Sequence, residues 1–98
     1  MRIKTHPGEI LRVEFMEPIG LSANRLGGII GVPANRVSEL ARCRRSVTAD
    51  TAKRLAAVFN TTPQFWTNLQ ASYDLSVAED LHAEEYDHIE PVTETAYA

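Results

Sequence analysis

Gly31, Val32 and Pro33 interrupt a run of regularly spaced apolar residues at a single point, and this interruption constrains the fold more than any other feature of the chain. The run is ANRLGGIIGVPANRVSELAR, residues 23–42. Leu26 and Ile30 are one helical turn apart before the break, and Val37 and Leu40 are one turn apart after it. Glycine has no Cβ and suits the left-handed backbone that ends a helix. Proline cannot continue that helix but is well suited to the first turn of the next. Two short helices that cross steeply around a shared apolar wedge need this combination, so residues 22–45 read as a helix-turn-helix. Gly27 predicts a close approach of the facing helix. Gly28 has no such role in the pattern and costs roughly 1 kcal/mol relative to Ala in an exposed helix.

The second of these helices, expected over about Pro33–Ala41, leaves Ala34, Asn35, Ser38, Glu39 and Arg42 on its outer face, free to enter a major groove. Each residue type has a matching chemistry. Asn35 pairs in bidentate fashion with adenine, Ala34 packs on a thymine methyl, and Glu39 accepts from cytosine. Arg36 and Arg42 reach either a guanine edge or a phosphate. Arg44, Arg45 and Ser22 are better placed for phosphates, which set affinity and register. The plainer alternative makes Asn35 a tolerated polar residue near a helix start and pairs Glu39 with Arg36 or Arg42. Arg42, Arg44 and Arg45 count for more, because three uncompensated cations beside that helix repel one another without an anion. Lys53 and Arg54 are expected on a solvated face, and Arg2 and Lys4 at a frayed terminus.

The net charge of −3 conceals a division of the chain. All ten Lys and Arg lie between Arg2 and Arg54 and, against five acids, give residues 1–60 a charge of +5. Residues 61–98 hold eight acids and no Lys or Arg, a charge of −8. Such asymmetry separates a surface for polyanions from one for a cationic partner, or else marks a solvated, solubilising end. The 98 residues suit one domain (1–98) with a single modest core. No apolar run approaches the roughly 20 residues that span a bilayer, and MRIKTHPGEI has no apolar signal region. The lone Cys43 excludes an internal disulfide framework and fits a reducing, cytoplasmic setting.

Five helices are expected. The first begins near Pro7, capped by His6 or Thr5, carries the stripe Ile10, Leu11 and Phe15, and ends before Pro18, with Gly20 making the turn. Ser22 caps the second helix, which runs to Ile30. Thr48 caps the fourth, where Ala52, Leu55, Ala56 and Phe59 follow at i, i+3, i+4 and i+7, and Asn60 and Thr61 close it. Thr62 and Pro63 open the fifth, in which Phe65, Trp66, Leu69, Tyr73, Val77 and Leu81 continue a stripe. Phe65 and Trp66 read most simply as core. With Leu69 and Tyr73 they also suit a dimer or partner contact. From His88 onward the pattern is lost. Pro91 excludes a continuing helix, and the last seven residues suit a short strand or no order.

The segments HPGEIL, GVPANRVSEL, TADTAKRLA and TPQFWTNLQ, in this order and at these spacings, resemble the HigA-type antitoxins of the phage-repressor-like helix-turn-helix class. The resemblance covers roughly residues 5–80. HPGE and FW..LQ are its specific marks, since helix-turn-helix proteins in general lack them. It implies an all-α, five-helix, lambda-repressor-like domain with an extended C-terminal helix and short acidic tail (63–98). It also implies a homodimer that binds double-stranded operator DNA, represses its own operon and silences a small basic HigB-type ribonuclease toxin. The family often reads Asn-Gly-Lys-Arg after the recognition helix, where this chain has Arg42-Cys43-Arg44-Arg45, so this helix end must cap differently.

Enzymatic readings are poor. His6, His82, His88 and Cys43 do not form a nucleophile–base set, and HAEEYDH (82–88) lacks the spacing that places metal ligands on one helix face. No cofactor or metal is expected. Two other functions stand beside the antitoxin: a stand-alone helix-turn-helix repressor without a toxin, and a protein-binding module whose helix-turn-helix is only a scaffold.

Overall fold

The computed structural model of the protein describes residues 2–93, and among these all regular structure is helical. Helix α1 begins at Pro7–Ile10 and continues as a wider π-helical stretch, Leu11–Met16. A 3₁₀ turn, Glu17–Ile19, follows, so Pro18 lies inside a helical turn rather than beyond the helix end. Helices α2 (Ala23–Ile30), α3 (Ala34–Ala41), α4 (Ala49–Phe59) and α5 (Pro63–Asp87) complete the domain. Residues 91–93 have no regular structure, and the rest of the segment expected as strand or unordered chain lies outside the described residues.

Local chemistry explains each helix start. Ser22, Thr48 and Thr62 accept through their hydroxyls from the backbone N–H three residues on, satisfying donors that the helix leaves orphaned. His6 does the same for α1, its Nδ1 accepting from the Gly8 N–H at 2.8 Å. Pro33 sits at the N-cap of α3, with extended backbone, one residue earlier than a first-turn proline. Gly20 and Gly31 take the left-handed backbone at the turns that precede α2 and α3.

The core gathers Leu11, Met16, Leu26, Val37, Leu40, Val47, Ala52, Leu55 and Trp66, one or more from every helix. Trp66 is fully buried, and its Nε1 donates to Thr61 Oγ1 at 2.8 Å. Phe65 turns away, edge-on to Trp66 at 5.0 Å between ring centres and 38% exposed. The two aromatics therefore divide the roles assigned jointly to them. Trp66 has no surface to offer a partner, while Phe65 does. The stripe along α5 is core only near its start: Leu69, Tyr73 and Val77 are half-buried, and Leu81 is 66% exposed. The α5 backbone departs from helical geometry at His82.

Two glycines set how closely helices approach. A Cβ on Gly8 would collide with the carbonyl oxygen of Leu40, so the start of α1 lies directly against the end of α3. A Cβ on Gly27 would stand 2.7 Å from the Val32 carbonyl oxygen and 3.3 Å from Ala34, which is the close approach its position in α2 predicts. Gly28 faces open space. Accordingly Gly8→Ala is expected to destabilise by about 1–3 kcal/mol through overpacking. Gly28→Ala should instead stabilise by about 0.5–1 kcal/mol through helix propensity. Urea unfolding of the two variants tests this opposition in sign.

Burial beside the Tyr73 ring (4.7 Å, edge-on) lowers the pKa of His6 from its ordinary 6.5, with the Asp74 charge opposing in part. The folded state thus holds the neutral ring whose Nδ1 caps α1, while the unfolded chain takes up a proton near 6.5. This contribution is intact above that pH and is lost as the pH falls through it toward the lower folded value. Thermal melts between about pH 7.5 and 5.5 should show stability falling with acid. His6→Asn keeps a capping oxygen without a titrating ring, and in this variant the slope should flatten.

Candidate nucleic-acid interface

Helix α3 turns Val37, Leu40 and Ala41 inward and so presents Asn35, Ser38, Glu39 and Arg42, at i, i+3, i+4 and i+7, outward. Asn35 and Arg42 are exposed, and Ala34, Ser38 and Glu39 partly so. Ser22 is exposed at the head of α2, where its Oγ is occupied by the Arg25 N–H. Arg42 and Arg44 are exposed, with no ion pair of their side chains among the described residues.

The remaining cations are not all placed as expected. Arg45 donates to Glu39 Oε1 at 2.7 Å, so one of the three loop cations is compensated, and Glu39 pairs with Arg45 rather than with Arg36 or Arg42. Arg36 is drawn back onto α4, its Nη2 donating to Thr51 Oγ1 at 2.6 Å and to Asp50 Oδ2 at 3.2 Å. Arg54, expected on a solvated face, donates through Nε to Asp50 at 2.9 Å and through Nη1 to the Ile30 carbonyl at 2.7 Å. It thus satisfies a terminal carbonyl of α2 with a charge that suits a helix C-terminus. The Arg54 guanidinium first, and then that of Arg36, hold the Asp50 carboxyl below the usual carboxylate range.

The end of α3 answers how this chain caps without the customary glycine. Cys43 itself adopts the left-handed backbone, φ 62°. The Arg44 N–H then reaches the Glu39 carbonyl and the Cys43 N–H the Leu40 carbonyl, both at 2.9 Å, a complete Schellman cap. From the far side, Gln70 on α5 accepts the Val47 N–H at 2.7 Å and donates to Asp74 at 2.9 Å. The FW..LQ motif therefore has a structural meaning: its Trp fills the core and its Gln anchors the loop that carries Arg42, Arg44 and Arg45. HPGE likewise buttresses the end of α3 through Gly8.

Sequence reasoning passed over three contributors. Gln70 is a polar residue on the buried side of α5, one turn after Trp66, and that mismatch was the available signal. Arg25, in the first turn of α2, is exposed and has no ion-pair partner among the described residues. Asp50, an acid in the first turn of α4, is the third: it gathers Arg36 and Arg54.

The fold that carries this helix pair recurs in proteins of known role. The chain is 39% identical over 85 residues to antitoxin HigA-1 of Vibrio cholerae, a match covering 87% of this chain and 80% of that protein. This protein belongs to the HigA family of helix-turn-helix antitoxins. The HigA fold extends over nearly the whole chain. The Pseudomonas aeruginosa antitoxin HigA, solved with the higBA promoter, superposes with a TM-score of 0.86 at 39% identity, over 91% of this chain and 98% of that one. Antitoxin GraA in complex with its operator superposes at 0.88 and 42% identity, over 95% and 94%. No family model matches the chain. No helix among the described residues is long and apolar enough to cross a membrane.

A side chain in left-handed backbone is strained relative to glycine. Cys43→Gly should therefore raise the stability of this HigA-family domain by about 1 kcal/mol. Chemical denaturation checks the sign, and a loss of stability would contradict the cap described above.

Proposed function

We propose that this protein is an antitoxin that represses its own operon by gripping double-stranded operator DNA and neutralises a cognate basic, HigB-type ribonuclease toxin in the cytoplasm. The observation that carries the proposal is the outward face of α3, with Asn35, Ser38 and Glu39 along it and the exposed guanidinium groups of Arg42 and Arg44, unpaired among the described residues, beside it, in a fold shared with antitoxins solved on promoter or operator DNA.

In this reading a homodimer sets two α3 helices into successive major grooves about 34 Å apart. Asn35 reads an adenine edge, Ala34 meets a thymine methyl, and Ser38 and Glu39 lie over neighbouring base edges. Arg42, Arg44 and Ser22 contact phosphates, and Arg25 joins them. Arg45 does so only by leaving Glu39. Phe65, Leu69 and Tyr73, which retain exposed area on α5, supply the dimer or partner contact. Seven of the eight C-terminal acids lie within the described residues, and they favour a basic protein partner over a second nucleic-acid surface.

The test is binding of the purified protein to the duplex immediately upstream of its own gene, across a salt series. Affinity should fall steeply with salt. Asn35→Ala should cost roughly 1–3 kcal/mol on that duplex while sparing weak binding to unrelated DNA. Equal affinity of wild type and variant for the upstream duplex would remove α3 from the reading head.

A further inference from the structure

Arg36 stands on the recognition helix, yet its guanidinium is committed within the protein. Nη2 lies between Thr51 Oγ1 and Asp50 Oδ2, at 2.6 and 3.2 Å. The side chain also borders the interior beside Leu26, Val37 and Leu55. Thr51 is 5% exposed, so its hydroxyl fixes a direction as well as a distance. The oxygen of Asp50 that meets Arg36 also accepts from Arg54, which in turn holds the Ile30 carbonyl. One carboxylate therefore joins the last turn of α2, the first turn of α3 and the first turn of α4.

We propose that Arg36 and Asp50 form a latch that sets the angle at which α3 is presented to DNA, making Arg36 a positioning residue rather than a reader of bases or phosphates. The proposal rests on the DNA-binding reading above. Helix α3 is eight residues long and buries only Val37, Leu40 and Ala41, so apolar contact leaves rotation about its own axis weakly determined. A guanidinium engaged with two acceptors on the neighbouring helix removes that freedom, because its donors are fixed in one plane. The charge of the ion pair is largely screened by solvent at Asp50 and adds little stability beyond the hydrogen bonds that tie α3 to α4. Its effect is on orientation.

The latch and a direct DNA contact make opposite predictions at Asp50. An acid at the rim of a polyanion site repels DNA, so on electrostatics alone Asp50→Asn would tighten binding. If Asp50 holds Arg36 in place, the same substitution weakens it. The experiment measures affinity by fluorescence anisotropy over a salt series, using the full-length protein. The probe is the duplex that wild type enriches from a randomised DNA library. Far-UV circular dichroism confirms that each variant is folded at the assay temperature.

Asp50→Asn and Arg36→Met are each expected to weaken binding roughly five- to tenfold, about the effect of one disturbed base contact. The slope of log affinity against log salt should stay at the wild-type value, and single-base variants of the duplex should keep their order of preference. The double variant should bind no worse than either single one, because both break the same latch. Binding by Asp50→Asn that equals or exceeds wild type overturns the latch. So does an Arg36→Met slope reduced by about one, which marks a lost phosphate contact. A wild-type protein that enriches no duplex ends the DNA-binding reading and the latch together, whereas the other outcomes bear on the latch alone.

Discussion

The eight residues of α3 are too few to hold a helix in water, where isolated helices shorter than about 12–15 residues are marginal even with favourable sequences. Every other element of the domain bears on this constraint. Gly27 lets Val32 and Ala34 approach α2 at the start of α3, and Gly8 lets α1 reach the Leu40 carbonyl at its end. Gln70 fixes the following loop through the Val47 N–H, and Arg36 ties the first turn to Thr51 and Asp50. The helix is stable because it is held at both ends and along its inner face, which leaves its outer face free of structural duty.

The electrostatics follow the same division. Cations that serve the fold are paired: Arg36 and Arg54 share Asp50, Arg12 meets Glu17 at 3.1 Å, and Arg45 meets Glu39. Among the described residues Arg42 and Arg44 have no ion-pair partner at the end of α3, where a local excess of positive charge attracts a polyanion even though the chain as a whole is acidic. The acids of residues 61–93 lie mostly on the exposed distal part of α5, past the tryptophan that anchors that helix. A net charge of −3 is therefore compatible with a DNA surface, because the two signs occupy different ends of the chain.

How far the sequence could be read depended on the range of the interaction involved. Helix starts were legible at Ser22, Thr48 and Thr62, because a capping hydroxyl acts on an amide three residues away. The turn at Gly31 and Pro33 was legible for the same reason, as was the inward set Leu26, Val37 and Leu40. Side-chain destinations were not. Arg36 and Arg42 look alike in the sequence, but one closes onto a helix that begins thirteen residues later while the other remains free. Phe65 and Trp66 are neighbours that both meet Phe15, and it is Trp66, packed also on Phe59, that is buried.

Local chemistry, then, was sufficient to determine five helices, the position of the helix-turn-helix and the polar outer face of its second helix, since period, caps and breakers act within a turn or two of chain. The tertiary structure alone decided which cations are spent on the fold, which aromatic keeps a surface, and how Cys43 ends α3 without a glycine. Those outcomes depend on partners brought together from distant parts of the chain, and no spacing along the sequence encodes how closely two helices will meet.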